Sequence, residues 1–210
     1  MSVFRTCTSL TIEDHRGVAV SGKTWKPGAK ITVGFLDGTI EQWERCLRIA
    51  KEWEGCGNFE FVEAPPDAAI IRVSFKNGGS WSFVGTDALA IRTGATMNLG
   101  WLYEQTPESE WRRVVLHEFG HVLGLDHEHK HGDYTFENKQ AAIEFLKNRG
   151  WEQDYIDSNI NRTDSHIDIT PFNPDSIMLY SFGGKNNDKI SKEDCRTIRI
   201  LYPFERGNIE

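Results

Sequence analysis

Residues 117 to 127 read His117-Glu118-Phe119-Gly120-His121-Val122-Leu123-Gly124-Leu125-Asp126-His127. On an α-helix, His117 and His121 stand one turn apart on one face, so both imidazoles can approach a single metal ion. Glu118 is adjacent to that face, and a carboxylate there sits beside the metal without having to bind it, as a general base requires. Gly124 tolerates a positive φ and lets the chain leave the helix sharply, so His127, three residues on, can return to the metal. Three protein nitrogens leave one coordination position open. That is the arrangement of catalytic zinc, whereas structural zinc sites are closed by four protein ligands and favour cysteine. Five fixed residues at these spacings would arise by chance in on the order of 10⁻⁴ of such chains. Histidines merely satisfied in a core are the weaker reading.

The helix carrying this motif should run from about Pro107 to Leu123, with Thr106 as its N-cap and Pro107 at the first helical position. Upstream, Ile31 to Leu36 reads as a strand that stops at Asp37-Gly38. From Ile40 the apolar residues Trp43, Leu47, Ala50 and Trp53 recur at helical spacing until Gly55 and Gly57. Asn58 to Val62 and Ala69 to Phe75 read as two further strands separated by Pro65-Pro66. Trp81 to Gly85 and Thr96 to Leu99 read as short strands. Downstream, Thr135 to Asn148 reads as a helix closed by Gly150. Residues 151 to 190 look irregular, and Ser191-Lys192-Glu193-Asp194 has the form of a capping box opening a last helix to Leu201.

With the zinc motif and the segment Ser176-Ile177-Met178-Leu179-Tyr180 downstream of it, the sequence resembles the metzincin clan of zinc metalloproteases. Glu128 directly after the third histidine, and a tyrosine two residues after Met178, make it similar to the astacin family within that clan. The resemblance implies an α+β fold in a single catalytic domain, 1–210. An N-terminal lobe, 1–127, would hold a twisted mixed sheet and two long helices, the zinc helix among them. A C-terminal lobe, 128–210, would be mostly irregular, with helices and the methionine turn. It further implies Zn2+ held by His117, His121 and His127, with Met178 as an apolar floor beneath the metal. Glu118 and Tyr180 would be catalytic, the phenol serving as a fifth zinc ligand that can swing to stabilise the oxyanion. In this family the mature N-terminus is buried against the glutamate at the position of Glu128. Substrate is expected to lie extended, pairing with an edge strand at Thr96 to Leu99.

The reaction so implied is hydrolysis of peptide bonds by a Glu118-activated, zinc-bound water, with a peptide or protein as substrate. Two other classes compete. A zinc-containing module that binds a peptide or partner without turnover would have no use for Glu118, and a hydrolase of non-peptide amides or esters would have no use for the methionine turn. Lys185 and Arg162 are candidates to favour acidic side chains in a specificity pocket, against the ordinary alternative that they are solvated. His129 and His131 read as part of a solvated loop rather than a second metal site. Cys7 could supply a thiolate to the open zinc position and keep the enzyme latent.

Length and composition limit the alternatives. The chain has 210 residues, 24 Lys+Arg against 31 Asp+Glu and a net charge of −7. One ordinary globular domain or two small lobes fits that length. An acidic chain with no basic cluster argues against nucleic-acid or anionic-membrane partners, which need a positive field. No apolar run approaches the ~20 residues that span a bilayer. The N-terminus lacks the apolar core of a secretory signal, so the chain is cytoplasmic as written, or secreted if a leader has been removed, as the family favours. Cys7, Cys46, Cys56 and Cys195 are sparse and are expected to be free thiols. No acidic loop has the EF-hand spacing for calcium, and nothing forbids a monomer.

Overall fold

A computed structural model describes residues 7–10, 19–20, 22–148, 150–161, 166–180 and 187–205. Its main sheet is built from β1 (Cys7–Leu10), β3 (Ala29–Phe35), β4 (Phe59–Glu63), β5 (Ile71–Ser74), β6 (Ser80–Phe83) and β7 (Met97–Leu99). Their order across the sheet is β1-β6-β7-β5-β3-β4. β6 runs antiparallel to β7, while the other neighbouring pairs are parallel. A two-stranded ladder joins β2 (Ala19–Val20) to β8 (His166–Ile167).

This sheet order corrects one expectation. β7 lies inside the sheet, hydrogen-bonded to β5 on one side and to β6 on the other. Its backbone groups are therefore already paired and cannot receive a substrate strand. The antiparallel strand next to the border is β6, and its outer side is taken by β1, with Cys7 opposite Ser80 and Leu10 opposite Phe83.

Thr39 opens the first helix, α1 (Ile40–Ala50), through a reciprocal capping box with Gln42. The helix tightens into a 3-10 turn at Lys51–Gly55, which carries the buried Trp53. The zinc-motif helix, α2 (Glu108–Val122), starts one residue later than the Thr106-Pro107 signal suggested. Pro107 itself occupies the N-cap. The Thr106 hydroxyl instead accepts from Tyr103 N and donates to Trp101 O, tightening the turn before the helix.

The apolar faces of α1 and α2 meet the sheet in one core that includes Ile31, Val33, Ile49, Trp53, Phe61, Val73, Leu99, Trp111, Leu116 and Phe119. Phe61 and Phe119 stack edge to face across it, ring centroids 5.0 Å apart. Arg72 is buried but satisfied, its guanidinium donating to Ile91 O, Gly94 O and Ala69 O. It clasps the loop before β7.

The C-terminal part contains α3 (Lys139–Lys147), α4 (Gln153–Ile160) and α5 (Lys192–Leu201). α3 begins at an Asn138 cap rather than at Thr135. α4 was not expected, because only Ile156 and Ile160 mark its apolar face. These pack on Ala142 and Leu146 of α3 in a separate small cluster, and two apolar residues at i and i+4 are too few to give a periodic signal. α5 has the capping box read from Ser191 and Asp194.

The cysteine expectation is overturned as well. Cys56 and Cys195 form a disulfide with a sequence separation of 139. α5 returns to lie against the turn after α1, which brings together two cysteines that nothing local relates. Cys46 is buried and free.

Candidate active site

The end of α2 shapes the site. Gly124 adopts φ +87°, and its N–H donates to His121 O while Leu125 N donates back to Gly120 O. The last carbonyls of a helix have no intrahelical donors and must find others. Here Trp25 Nε1 donates to Val122 O and the Tyr202 hydroxyl donates to Leu123 O, each at 2.7 Å. The turn is thus anchored by a residue before β3 and one after α5.

That turn brings together the three histidines of the motif. One ring nitrogen from each of His117, His121 and His127 lies within 4.8 Å of the others. His117 Nδ1 donates to Ile177 O and His121 Nδ1 donates to Leu125 O, both at 2.8 Å. A carbonyl can only accept, so Nδ1 carries the proton in these two rings and Nε2 keeps its lone pair. The third ring has Asp126 Oδ1 3.5 Å from its Nδ1.

All three Nε2 atoms are buried without a hydrogen-bond partner. Buried polar atoms normally find partners. Three buried lone pairs converging on one point fit a divalent ion that takes imidazole nitrogen. Burial holds all three imidazoles below the ordinary histidine pKa, His121 at about 4. They are therefore neutral at pH 7, as ligation requires.

Glu118 is fully buried in the same turn of α2. Met178, also buried, packs against Gly120 of the same helix. Gly120 is required for that contact, since a Cβ there would stand 2.3 Å from Met178 Sδ. The ring of Tyr180, half-buried, lies 6.0 Å from that of His127.

The methionine turn is held from α5. Asp194 accepts from Ser176 Oγ at 2.6 Å and from Ile177 N at 3.0 Å, besides closing its own helix cap at Ser191 N. Ile177 O orients His117, and Met178 O accepts from Glu128 N, the residue after His127. Asp194 therefore steadies two of the three histidines through one turn. Asp194→Ala strands two buried donors, Ser176 Oγ–H and Ile177 N–H, at about 1–3 kcal/mol each. A loss of about 3 kcal/mol in urea unfolding is expected, with faster release of zinc to a chelator.

Other sequence-derived expectations fare differently. His129 and His131 are not in a solvated loop but buried, His129 Nε2 donating to Asn159 O and His131 Nε2 to Thr170 O. They tie the turn after the zinc motif to α4 and to the segment before the methionine turn. Glu128 is buried too, and its carboxylate accepts from Asn173 N at 2.8 Å. Burial pushes it up to about 8. Lys185, Arg162 and the side chain of Cys7 lie outside the described residues. Among the described residues no other group of His, Cys, Asp or Glu is placed to hold an ion. Nothing in the sequence shows that Asp126, Lys130 or Asp194 supports the histidines. Only the i, i+4 spacing of Asp126 and Lys130 could have drawn notice.

A family model described as Astacin, a peptidase family, matches residues 18–201. The chain belongs to the astacin family. The astacins are zinc-dependent metalloproteases, and the cluster of His117, His121 and His127 fits that metal. Among solved structures, myroilysin superposes with a TM-score of 0.81 at 30% identity, covering 90% of this chain and 99% of that one. High choriolytic enzyme 1, a hatching enzyme zinc-protease of the medaka fish Oryzias latipes, shares the fold with a TM-score of 0.57 at 18% identity, over 87% of this chain and 95% of that one.

Astacin-like metalloprotease toxin 1 of Loxosceles intermedia is 33% identical over 100 residues, 45% of this chain and 31% of that protein. Tolloid, a dorsal-ventral patterning protein of Drosophila melanogaster, is 27% identical over 136 residues, 62% of this chain and 11% of that protein. The chain thus spans less than a third of either relative.

Proposed function

We propose that this astacin-family chain is a zinc endopeptidase in which His117, His121 and His127 hold the metal through Nε2. The observation that carries the reading is the convergence of three buried Nε2 atoms without protein partners, one residue from a buried carboxylate. Zinc bound there would supply the positive charge that polarises a scissile carbonyl and makes water a nucleophile at neutral pH. Glu118 accepts the proton of the attacking water and delivers it to the leaving amine. The Tyr180 phenol donates to the developing oxyanion. Residues 1–127 and 128–210 act as the two lobes between which an extended peptide lies.

Strand pairing with substrate falls to β6 rather than β7. A peptide can pair with the outer side of β6 only by displacing β1, which occupies it. Deleting residues 1–10 is expected to raise kcat/KM for peptides by at least about tenfold, since each 1.4 kcal/mol of competing strand pairing removed is worth that factor; an unchanged value would remove β6 as the docking strand.

The Cys56–Cys195 bridge supports work in an oxidising compartment. Among the described residues no helix is long and apolar enough to cross a membrane. The test of the function is digestion of a proteome-derived peptide pool by zinc-loaded protein and by Glu118→Ala, with new termini read by mass spectrometry. Termini found only with Glu118 intact support the peptidase. Zinc and peptide binding without new termini would support a binding module instead.

A further inference from the structure

Lys130 is a lysine with almost no solvent contact. It is 4% exposed, and its Nζ donates to Asp126 Oδ2 at 2.9 Å, with Asp126 equally buried. Lysine and aspartate are almost never buried unless paired, and such a pair seldom repays its desolvation in stability. Its position gives it another use. Asp126 Oδ1 accepts from the backbone N of His127 at 2.7 Å and also lies 3.5 Å from His127 Nδ1.

The other two histidines have fixed carbonyls at Nδ1, supplied by the methionine turn and by the helix end. His127 lies beyond both elements, on the loop after Gly124, and has no carbonyl bonded there. Its Nδ1 makes no hydrogen bond, and the charged group beside it is the Asp126 carboxylate, 3.5 Å away. A side chain is freer to turn than a backbone carbonyl, and Lys130, one helical turn further on, restrains it by holding the second oxygen. The local sequence makes this possible: a 3-10 turn over Glu128–Lys130 brings residue 130 back over residue 126.

We propose that the buried Asp126–Lys130 pair is the positioning device of the third zinc ligand, with Asp126 fixing the backbone of His127 through its N–H and standing beside its ring, and Lys130 fixing Asp126. Carboxylates behind metal-bound histidines set ring orientation and raise ligand basicity, and their loss typically costs about 10–100-fold in metal affinity. The inference rests on the zinc reading of the triad, and zinc affinity itself separates the two.

The experiment is chelator competition for zinc, measured on the whole chain for wild type, Asp126→Asn and the double variant Asp126→Asn/Lys130→Met. Asp126→Asn leaves the buried Lys130 ammonium facing a neutral amide, so instability could confound it. The double variant removes both charges together, an exchange that is often neutral or stabilising. Expected is a zinc Kd raised at least about tenfold in both variants, with the double variant's apo-protein melting close to wild type. Cobalt substitution should show an altered visible d–d spectrum in the double variant, which a merely structural pair would leave unchanged. A double variant that binds zinc as tightly as wild type, with the same cobalt spectrum, overturns the inference and leaves the zinc reading standing. Wild type that takes up no zinc overturns both.

Discussion

Replacing Glu118 with alanine is expected to lower kcat/KM by about 10²–10⁴-fold, some 3–5 kcal/mol of transition-state stabilisation, while zinc content stays stoichiometric. The two halves of that expectation come from different observations. Loss of rate follows from a carboxylate with no exposure, one residue from a ligand, in surroundings where no water can substitute freely for it. Retention of zinc follows from the group of potential ligands, which contains the three histidines and not Glu118.

Glu118→Gln sharpens the test, because it keeps the volume and the hydrogen-bonding shape and removes the proton acceptor. Equal losses in both variants would assign the effect to proton transfer. Full activity in the glutamine variant would reduce Glu118 to a packing role. If zinc is lost together with rate, Glu118 belongs to the metal's surroundings rather than to the proton path.

How much of this was readable beforehand depended on whether the determining contacts were local. The zinc helix was legible because His117, His121 and Gly124 act within one helix and its C-cap, where spacing alone fixes the geometry. The sharp turn at Gly124 followed from the same spacing, whereas Met178 and Tyr180 were expected near it only through the resemblance to the astacin family. The capping box at Ser191 and Asp194 was legible for the same reason, but the second duty of Asp194 on Ser176 and Ile177 was not. That contact joins elements with no relation in local sequence.

Strand identity was readable and strand order was not. Thr96 to Leu99 has strand character wherever it lies, and only the β6–β7 pairing and the arrival of β5 place it inside the sheet. Likewise, nothing near His129 or His131 announces the carbonyls of Asn159 and Thr170 that bury them.

The disulfide is the longest-range of these contacts, and breaking it is expected to lower stability substantially. It closes a loop with a sequence separation of 139. For a loop of that size the chain-entropy model gives about 5 kcal/mol, and measured bridges usually contribute about 2–4. Cys56→Ser/Cys195→Ser should therefore lose about 3 kcal/mol and, for a chain of this length, melt roughly 6–12 °C lower.

The loss should not be uniform. α5 carries Asp194, which holds the methionine turn, and the chain runs on to Tyr202, whose hydroxyl donates to Leu123 O at the end of the zinc helix. Gly57 leaves room for Ile198 and Tyr202 beside the bridge, since a Cβ there would come within 2.9 Å of Ile198. Untying Cys195 frees an element that braces the site from two directions. Opening of α5 alone should then release zinc before the sheet unfolds. Thermal release of zinc, followed with a colorimetric chelator, is expected to precede the far-ultraviolet melting transition in the double serine variant and to coincide with it in wild type. Coincident transitions in both proteins would mean that the bridge stabilises the chain as a whole and that α5 does not open independently to release zinc.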